Sequence, residues 1–268
     1  MFNYRDQADG LRRIMAKTSA RIISVIGANG QPATPWMRNL ALSMLAPEQR
    51  LLLIHANRQP ALAHSLQSIV TNNSALKRGI VRHPQGYDLT CLTENDLLTS
   101  PLSQDLKAQL DGIVKQLSYD YDTVMIEAQL DTQDHSLIMP LIAEHELVIQ
   151  MDRSEAAIKA AYVTIKHISQ QHGQIPLGVV VTGANHEQGQ QYFMRLNQVC
   201  KQFLGVSLDF VGAMLVEDPV SAKAQNGQVK QAASNATASK LGQTALAFKT
   251  VAHRLEKQRI TTPSMAVA

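Results

Sequence analysis

Cysteine, aromatic residues and long apolar runs are all scarce in this chain. Its two cysteines, Cys91 and Cys200, are isolated and lack metal-ligand spacing, so a disulfide framework and a cysteine-based metal site are excluded. No apolar run is long enough to span a bilayer, and the first seven residues do not have the composition of a signal peptide. These features predict a cytoplasmic protein with buried thiols.

The charge of the chain is nearly balanced. Its formal net charge is +3, which is too small to indicate nucleic-acid binding by itself. Basic residues are enriched near the C-terminal end, since after Asp218 Glu256 is the only acidic residue among several lysines and arginines. A solvated basic face is the favoured interpretation, and attraction to DNA or anionic lipid is the alternative.

Apolar runs alternate with helical patterns along most of the chain. Strands are predicted at residues 22–26, 51–54, 87–92, 123–126, 146–151 and 177–181. Helices are predicted from residue 35, over 103–117, ending near 139–143, and over 152–166, 188–204 and 239–258. The alternation predicts an α/β fold, a doubly wound, mostly parallel sheet of about seven strands with helices on both faces.

One predicted helix carries an apolar stripe on one face. The stripe of the helix over 188–204 consists of Phe193, Leu196, Val199, Cys200 and Phe203.

The loop after the first strand has the outline of a phosphate-binding loop but lacks part of its chemistry. Gly27, Gly30 and Thr34 fit a glycine-rich loop at a helix N-terminus, where backbone N–H groups favour a phosphate. Ala33 stands where such a loop needs a lysine, and Pro32, which has no N–H, occupies the position of a second glycine. Losing both donors lowers phosphate affinity on the order of a hundredfold or more.

Thr34 and Pro35 also have an explanation that requires no ligand. Threonine at the N-cap followed by proline at the first helical position is a favourable start for a helix. This interpretation is favoured over magnesium coordination by Thr34.

The N-terminal stretch resembles a known family. Asp6, Gln7, Ala8, Leu11 and Arg12 match the Asp-Gln-Ala-x-x-Leu-Arg motif that opens FlhG, also called FleN, a MinD-like regulator of flagellar number and placement in the ParA superfamily. The resemblance covers nearly the whole chain and implies a P-loop NTPase fold. It implies a last core strand near 203–212, an activator-like N-terminal helix at 1–20 and a MinD/ParA-like domain at 21–259. The composition of residues 260–268, with Pro263 and no aromatic residue, predicts a disordered tail. Periodicity alone favours an N-terminal helix that packs against the rest of the chain over one that docks on a partner.

The resemblance also places substitutions at the nucleotide site of the family. Ala28 stands at the signature lysine, and Ala33 stands at the Walker A lysine. His55 and Asn57 stand where an Asp-Ala-Asp segment has its two carboxylates, and Glu127 replaces the Walker B aspartate. The resemblance therefore implies a degenerate nucleotide site with an inactive ATPase and weak or absent ATP binding.

Two further polar features are candidates for a catalytic or metal-binding role. His55 follows a buried strand, where α/β proteins keep their ligands, but a simply hydrogen-bonded histidine is favoured. Asp131, Asp134 and His135 lie in one short loop without a second set of ligands, so no metal is expected there.

The leading hypothesis is an FlhG-like regulator of flagellar biosynthesis and placement that works by protein contacts. The resemblance implies a partner, an FlhF-like signal-recognition-type GTPase, on which Gln7 positions catalytic water or backbone, Leu11 is an apolar anchor and Arg12 is a charged contact. Recruitment to the cell pole, a homodimer and contacts with other flagellar or polar proteins are compatible with this role. No cofactor is expected, and no strong membrane or nucleic-acid signal is present.

Two alternatives remain open. The first is a diverged MinD-like ATPase with a nucleotide-dependent dimer switch, in which ATP is bound and Thr34 and Glu127 hold Mg²⁺. The second is a ParA-like DNA-binding protein that uses the basic C-terminal face, whose affinity would fall steeply with salt.

Overall fold

The computed structural model describes residues 20–28, 34–46, 48–57, 62–94 and 102–215. The activator motif at residues 6–12, the predicted helix at 239–258 and the predicted tail at 260–268 lie outside these residues.

Strands and helices alternate along the described residues. The strands are β1 (Arg21–Gly27), β2 (Leu51–Asn57), β3 (Val81–Arg82), β4 (Asp88–Thr93), β5 (Thr123–Ala128), β6 (Glu146–Asp152), β7 (Leu177–Thr182) and β8 (Leu208–Met214). The helices are α1 (Thr34–Met44), α2 (Leu66–Thr71), a 3-10 helix (Leu76–Gly79), α3 (Gln104–Ser118), α4 (Leu141–Glu144), α5 (Glu155–His172) and α6 (His186–Leu204).

The strands form one mostly parallel sheet in the order β3-β4-β2-β5-β1-β6-β7-β8. The pairs β2–β4, β2–β5, β6–β7 and β7–β8 are parallel, while the two-residue β3 pairs with β4 in the antiparallel direction. The predicted fold class is confirmed. The eighth strand is the short β3, whose two residues give no readable pattern in the sequence.

The described chain groups into two compact units. The first unit contains β1 as far as Ser24 and the described residues between 45 and 145, apart from 134–136. Its strands β2, β4 and β5 are buried almost from end to end, as expected for parallel strands covered on both faces. Ser103 starts α3 as a side-chain cap, since its Oγ accepts from the N–H of Leu106 at 3.3 Å.

The second unit contains the described residues between 25 and 44, residues 134–136 and residues 146–215. Helix α5 starts at the Ser154 cap and α6 at the Asn185 cap, whose Oδ1 accepts from the N–H of Gln188 at 2.9 Å. Gly189 lets α6 approach β8 closely, because a Cβ there would collide with the Cβ of Ala213. Burial raises the pKa of the Cys200 thiol on α6 to about 11.

The apolar stripe predicted for α6 is only partly correct. Phe193, Leu196 and Cys200 are buried, but Val199 is 36% exposed and Phe203 is 65% exposed. Val199 lies about 100° around the helix from Cys200 and so leaves the buried line. Phe203 lies in the last turn, just before the helix ends at Leu204 and the chain turns at Gly205, whose φ is 67°.

Within the described residues, no helix has both the length and the apolar character that crossing a bilayer requires.

Candidate functional site

His55 and Glu127 meet at the carboxyl ends of two neighbouring strands. Strands β2 and β5 run in parallel register, with Ile54 opposite Ile126, so the residues that follow lie side by side. The Nδ1 of His55 lies 3.2 Å from Oε2 of Glu127, and both residues are buried. The backbone N–H of Ala56 donates to the same carboxylate oxygen at 3.4 Å.

This contact explains how the Glu127 carboxylate is accommodated in a buried position. A buried carboxylate is costly unless it accepts hydrogen bonds or pairs with a positive charge. The imidazole of His55 and the N–H of Ala56 both approach Oε2 and so provide partners inside the protein. In the family that the chain resembles, the positions of His55 and Glu127 both carry carboxylates. In this chain position 55 is a histidine, and its imidazole contacts the carboxylate of Glu127.

Two more polar residues line the same edge of the first unit. Asn57, the last residue of β2, is half-buried and stands opposite Thr93, the last residue of β4. The Oγ1 of Thr93 donates to the backbone oxygen of Ala56 at 3.1 Å, which ties the ends of these strands together. Asn57 can donate and accept hydrogen bonds, but its amide supplies no negative charge.

Each member of the polar cluster predicted in the loop after β5 has a partner within its own unit of the chain. Asp131 is buried and pairs with Lys107 of α3, whose Nζ lies 2.8 Å from its Oδ2. Asp134 accepts from Gln171 through its backbone oxygen, and the ring of His135 packs against that of His167 with centroids 4.4 Å apart and an interplanar angle of 31°. No group of three or more metal-ligating side chains occurs among the described residues.

The loop after β1 is described only at its two ends. Strand β1 ends at Gly27, and the methyl group of Ala28, where the resemblance places a lysine, is buried. Helix α1 begins at Thr34, whereas the sequence predicts Thr34 as the N-cap and Pro35 as the first helical residue. Gly30, Pro32 and Ala33 lie outside the described residues.

The described donor set is a poor match for a magnesium triphosphate. Magnesium favours carboxylate and water oxygens in octahedral geometry, and a triphosphate needs cationic partners. The ends of β2 and β5 offer an imidazole, an amide and one carboxylate that already accepts from His55 and Ala56. Ala28 offers a buried methyl group.

Sequence reasoning missed Lys107, although the sequence contains a signal for it. Lys107 lies three residues before Leu110 and seven before Val114, so it stands on the apolar face of α3. A charged residue in that position predicts a buried partner, but the sequence does not identify Asp131, which is distant along the chain. Thr93 was missed as well, because threonine at the end of a strand carries no distinctive pattern.

Comparison with known proteins adds independent information. No family model matches the chain. The antiactivator FleN of Pseudomonas aeruginosa is 24% identical over 248 residues, which cover 88% of this chain and 86% of FleN.

The solved structures share the fold at low sequence identity. The cell division protein MinD of Aquifex aeolicus is 13% identical with a TM-score of 0.61 and covers 93% of this chain and 100% of its own. MinD of Pyrococcus furiosus is 12% identical with a TM-score of 0.60 and covers 89% and 99%. A plasmid partition protein of Borrelia burgdorferi bound to AMPPNP is 12% identical with a TM-score of 0.61 and covers 90% and 100%. The chain therefore has the P-loop NTPase fold of the MinD and ParA proteins and resembles the antiactivator FleN of Pseudomonas aeruginosa over most of its length.

Proposed function

We propose that this chain is a FleN-like regulator of flagellar biosynthesis and placement that acts through contacts with a partner protein and does not hydrolyse ATP. The observation that carries the proposal is the 3.2 Å contact between Nδ1 of His55 and Oε2 of Glu127. This contact engages one oxygen of the carboxylate at the position where the family resemblance places a residue that supports magnesium.

The charges around this position support the same conclusion. A magnesium ion bound to Glu127 would lie beside the imidazole of His55, which carries positive charge when protonated and would then repel the metal. The family resemblance also places the two phosphate-binding lysines at Ala28 and Ala33. A hydrogen bond to a charged group contributes about 1.5–3 kcal/mol, so losing these ammonium groups removes much of the affinity for a triphosphate.

The N-terminal motif supports a function carried by protein contacts. Asp6, Gln7, Ala8, Leu11 and Arg12 keep the pattern of the FlhG activator segment, while the nucleotide positions have changed. By that resemblance the partner is an FlhF-like signal-recognition-type GTPase at the cell pole. Gln7 then positions water or backbone in the partner's active site, Leu11 anchors the helix and Arg12 makes a charged contact.

The test measures GTP turnover by the cognate GTPase with and without this protein. We expect the wild-type chain to stimulate turnover, Gln7→Ala to lose most of the stimulation, and Asn3→Ala to keep it. Asn3 is a matched control because it is a polar side chain in the same stretch, outside the motif. Equal turnover with and without the wild-type chain would contradict the activator role.

The fold similarity to an AMPPNP-bound partition protein supports one alternative, a diverged ATPase with a nucleotide-dependent dimer. Sedimentation velocity with and without MgATP distinguishes the two. A mass that is unchanged by MgATP supports the proposal. A dimer that forms only with MgATP supports the alternative.

A further inference from the structure

A small cavity in the first unit lies beside α2, away from the ends of β2 and β5. Its volume is about 50 Å³, enough for a small ion or a few water molecules. One apolar side chain and five polar ones line it, and none of them is acidic: His64, Ser68, Ile69, Asn72, Ser74 and Arg78. The wall is therefore rich in hydrogen-bond donors and carries positive charge.

Most of these donors are not used by the protein itself. The hydroxyl of Ser68 donates to the backbone oxygen of Ser65 at 3.0 Å. Among the residues that the structure describes, the side chains of the other four polar residues of the wall make no hydrogen bond or ion pair. By contrast, Arg50 and Arg82 both lie within 4 Å of the Asp88 carboxylate. Arg78 is thus an arginine without an acidic partner in this part of the chain.

Gly79 explains how Arg78 is brought to the cavity. A Cβ at Gly79 would collide with the Cδ1 of Ile69 and would lie 3.6 Å from the backbone oxygen of His64. A larger residue at Gly79 would require the end of the Ile69 side chain to shift, so glycine favours this close approach of the 3-10 helix to α2. The close approach places Arg78, the residue before Gly79, on the same wall as His64 and Ser68.

We propose that this cavity binds an oxyanion, the phosphate group of a small ligand or free phosphate. A guanidinium provides several N–H donors with fixed geometry that match a phosphate, and the imidazole, amide and hydroxyl add donors from other directions. The absence of carboxylates from the six wall residues disfavours a cation. The site shares no residue with the cluster at His55 and Glu127, so it does not depend on the proposed function.

Calorimetry with inorganic phosphate tests the proposal. We expect saturable binding to the wild-type chain, and Arg78→Gln to weaken it about tenfold or more, because it removes a charge-assisted hydrogen bond. The control is Lys77→Gln, which removes the same charge from the neighbouring residue outside the cavity wall. Binding unchanged by Lys77→Gln supports a defined site.

Two results would overturn the proposal: the absence of saturable binding at millimolar phosphate, or equal weakening by Arg78→Gln and Lys77→Gln, which indicates diffuse attraction. Circular dichroism of both variants verifies that they are folded. A second arm with methyl phosphate distinguishes the sources of the anion. Methyl phosphate binding as well as phosphate supports the phosphate group of a larger molecule, while binding of phosphate alone supports the free ion.

Discussion

The Nζ of Lys107 lies 2.8 Å from Oδ2 of Asp131, and both side chains are almost completely buried. Asp131 also accepts from the backbone N–H of Gln133 at 2.8 Å through its other oxygen. The pair fixes helix α3 to the loop that follows β5, in the first unit. Buried charges of this kind are tolerated because each satisfies the other, so the two residues should be energetically coupled.

Removing one member of this pair should destabilise the protein strongly. Lys107→Met or Asp131→Leu leaves an uncompensated buried charge, so each should lower the free energy of unfolding by about 3–5 kcal/mol. The double variant should recover a large part of the loss, because no charge remains without a partner. Urea denaturation of the three variants measures these free energies.

Lys115 provides the matched control for that experiment. It also pairs with an acidic residue, Asp111 at 3.1 Å, but its side chain is 45% exposed. Its hydrogen bond with Asp111 raises the pKa of Lys115, partly offset by burial. Lys115→Met should cost less than about 1 kcal/mol. A cost for Lys107→Met as small as that for Lys115→Met would contradict a coupled buried pair.

Because side chains along α6 differ in exposure, truncating two of them to alanine should lower the free energy of unfolding by unequal amounts. Leu196→Ala removes a fully buried side chain and should lower the free energy of unfolding by about 2–5 kcal/mol. Phe203→Ala changes a side chain that is mostly exposed, so its effect should stay within about 0.5 kcal/mol. Thermal or urea unfolding measures both. A large cost at Phe203 would mean that its ring is covered in solution.

His167 should titrate below the ordinary range of a histidine. Burial lowers its pKa from 6.5, and the charges of His135 and Lys166 lower it further. The folded chain therefore binds this proton less readily than the unfolded chain. The resulting stability is full above pH 6.5 and is lost as the pH falls through the folded pKa.

A titration followed by NMR measures this pKa directly. His135→Gln should raise the pKa of His167 only part of the way to 6.5, since burial, the largest cause, remains. His172→Gln, on the same helix, is the control and should leave it unchanged. No change after His135→Gln would show that the neighbouring ring of His135 does not influence the titration of His167.

The pairing of His55 with Glu127 predicts a pH-dependent cost for a carboxylate at position 55. His55→Asp places two carboxyl groups side by side, which disfavours ionisation of both. The variant should lose about 1 kcal/mol or more of stability at pH 8 and less at pH 5, where one proton is retained more easily. His55→Asn is the neutral control, whose stability relative to wild type should not vary in this way. The same pH dependence in both variants would contradict the prediction.

Much of the fold is readable in the sequence because its signals are local. The apolar runs that predict β1, β2 and β5 are long and uninterrupted, so these strands appear where expected. Strand β3 has two residues and owes its existence to pairing with β4, which no local pattern encodes. The short length of α4 and the exposure of Phe203 likewise depend on tertiary packing, which no local pattern encodes.

The candidate site is readable only in part, because its contacts join distant residues. The sequence indicates that His55 and Glu127 follow buried strands, but only the register of β2 against β5 brings their side chains to 3.2 Å. Asp131, Asp134 and His135 look like one cluster in the sequence. In the structure Asp131 pairs with Lys107 and His135 packs against His167, and no local pattern in the sequence identifies these partners.

Calorimetric titration with MgATP tests most directly whether the nucleotide site has lost its function. A chain with alanine at both family lysine positions and with Glu127 held by His55 should give no saturable heat even at millimolar MgATP. Saturable binding at micromolar MgATP would contradict this account and favour a working ATPase.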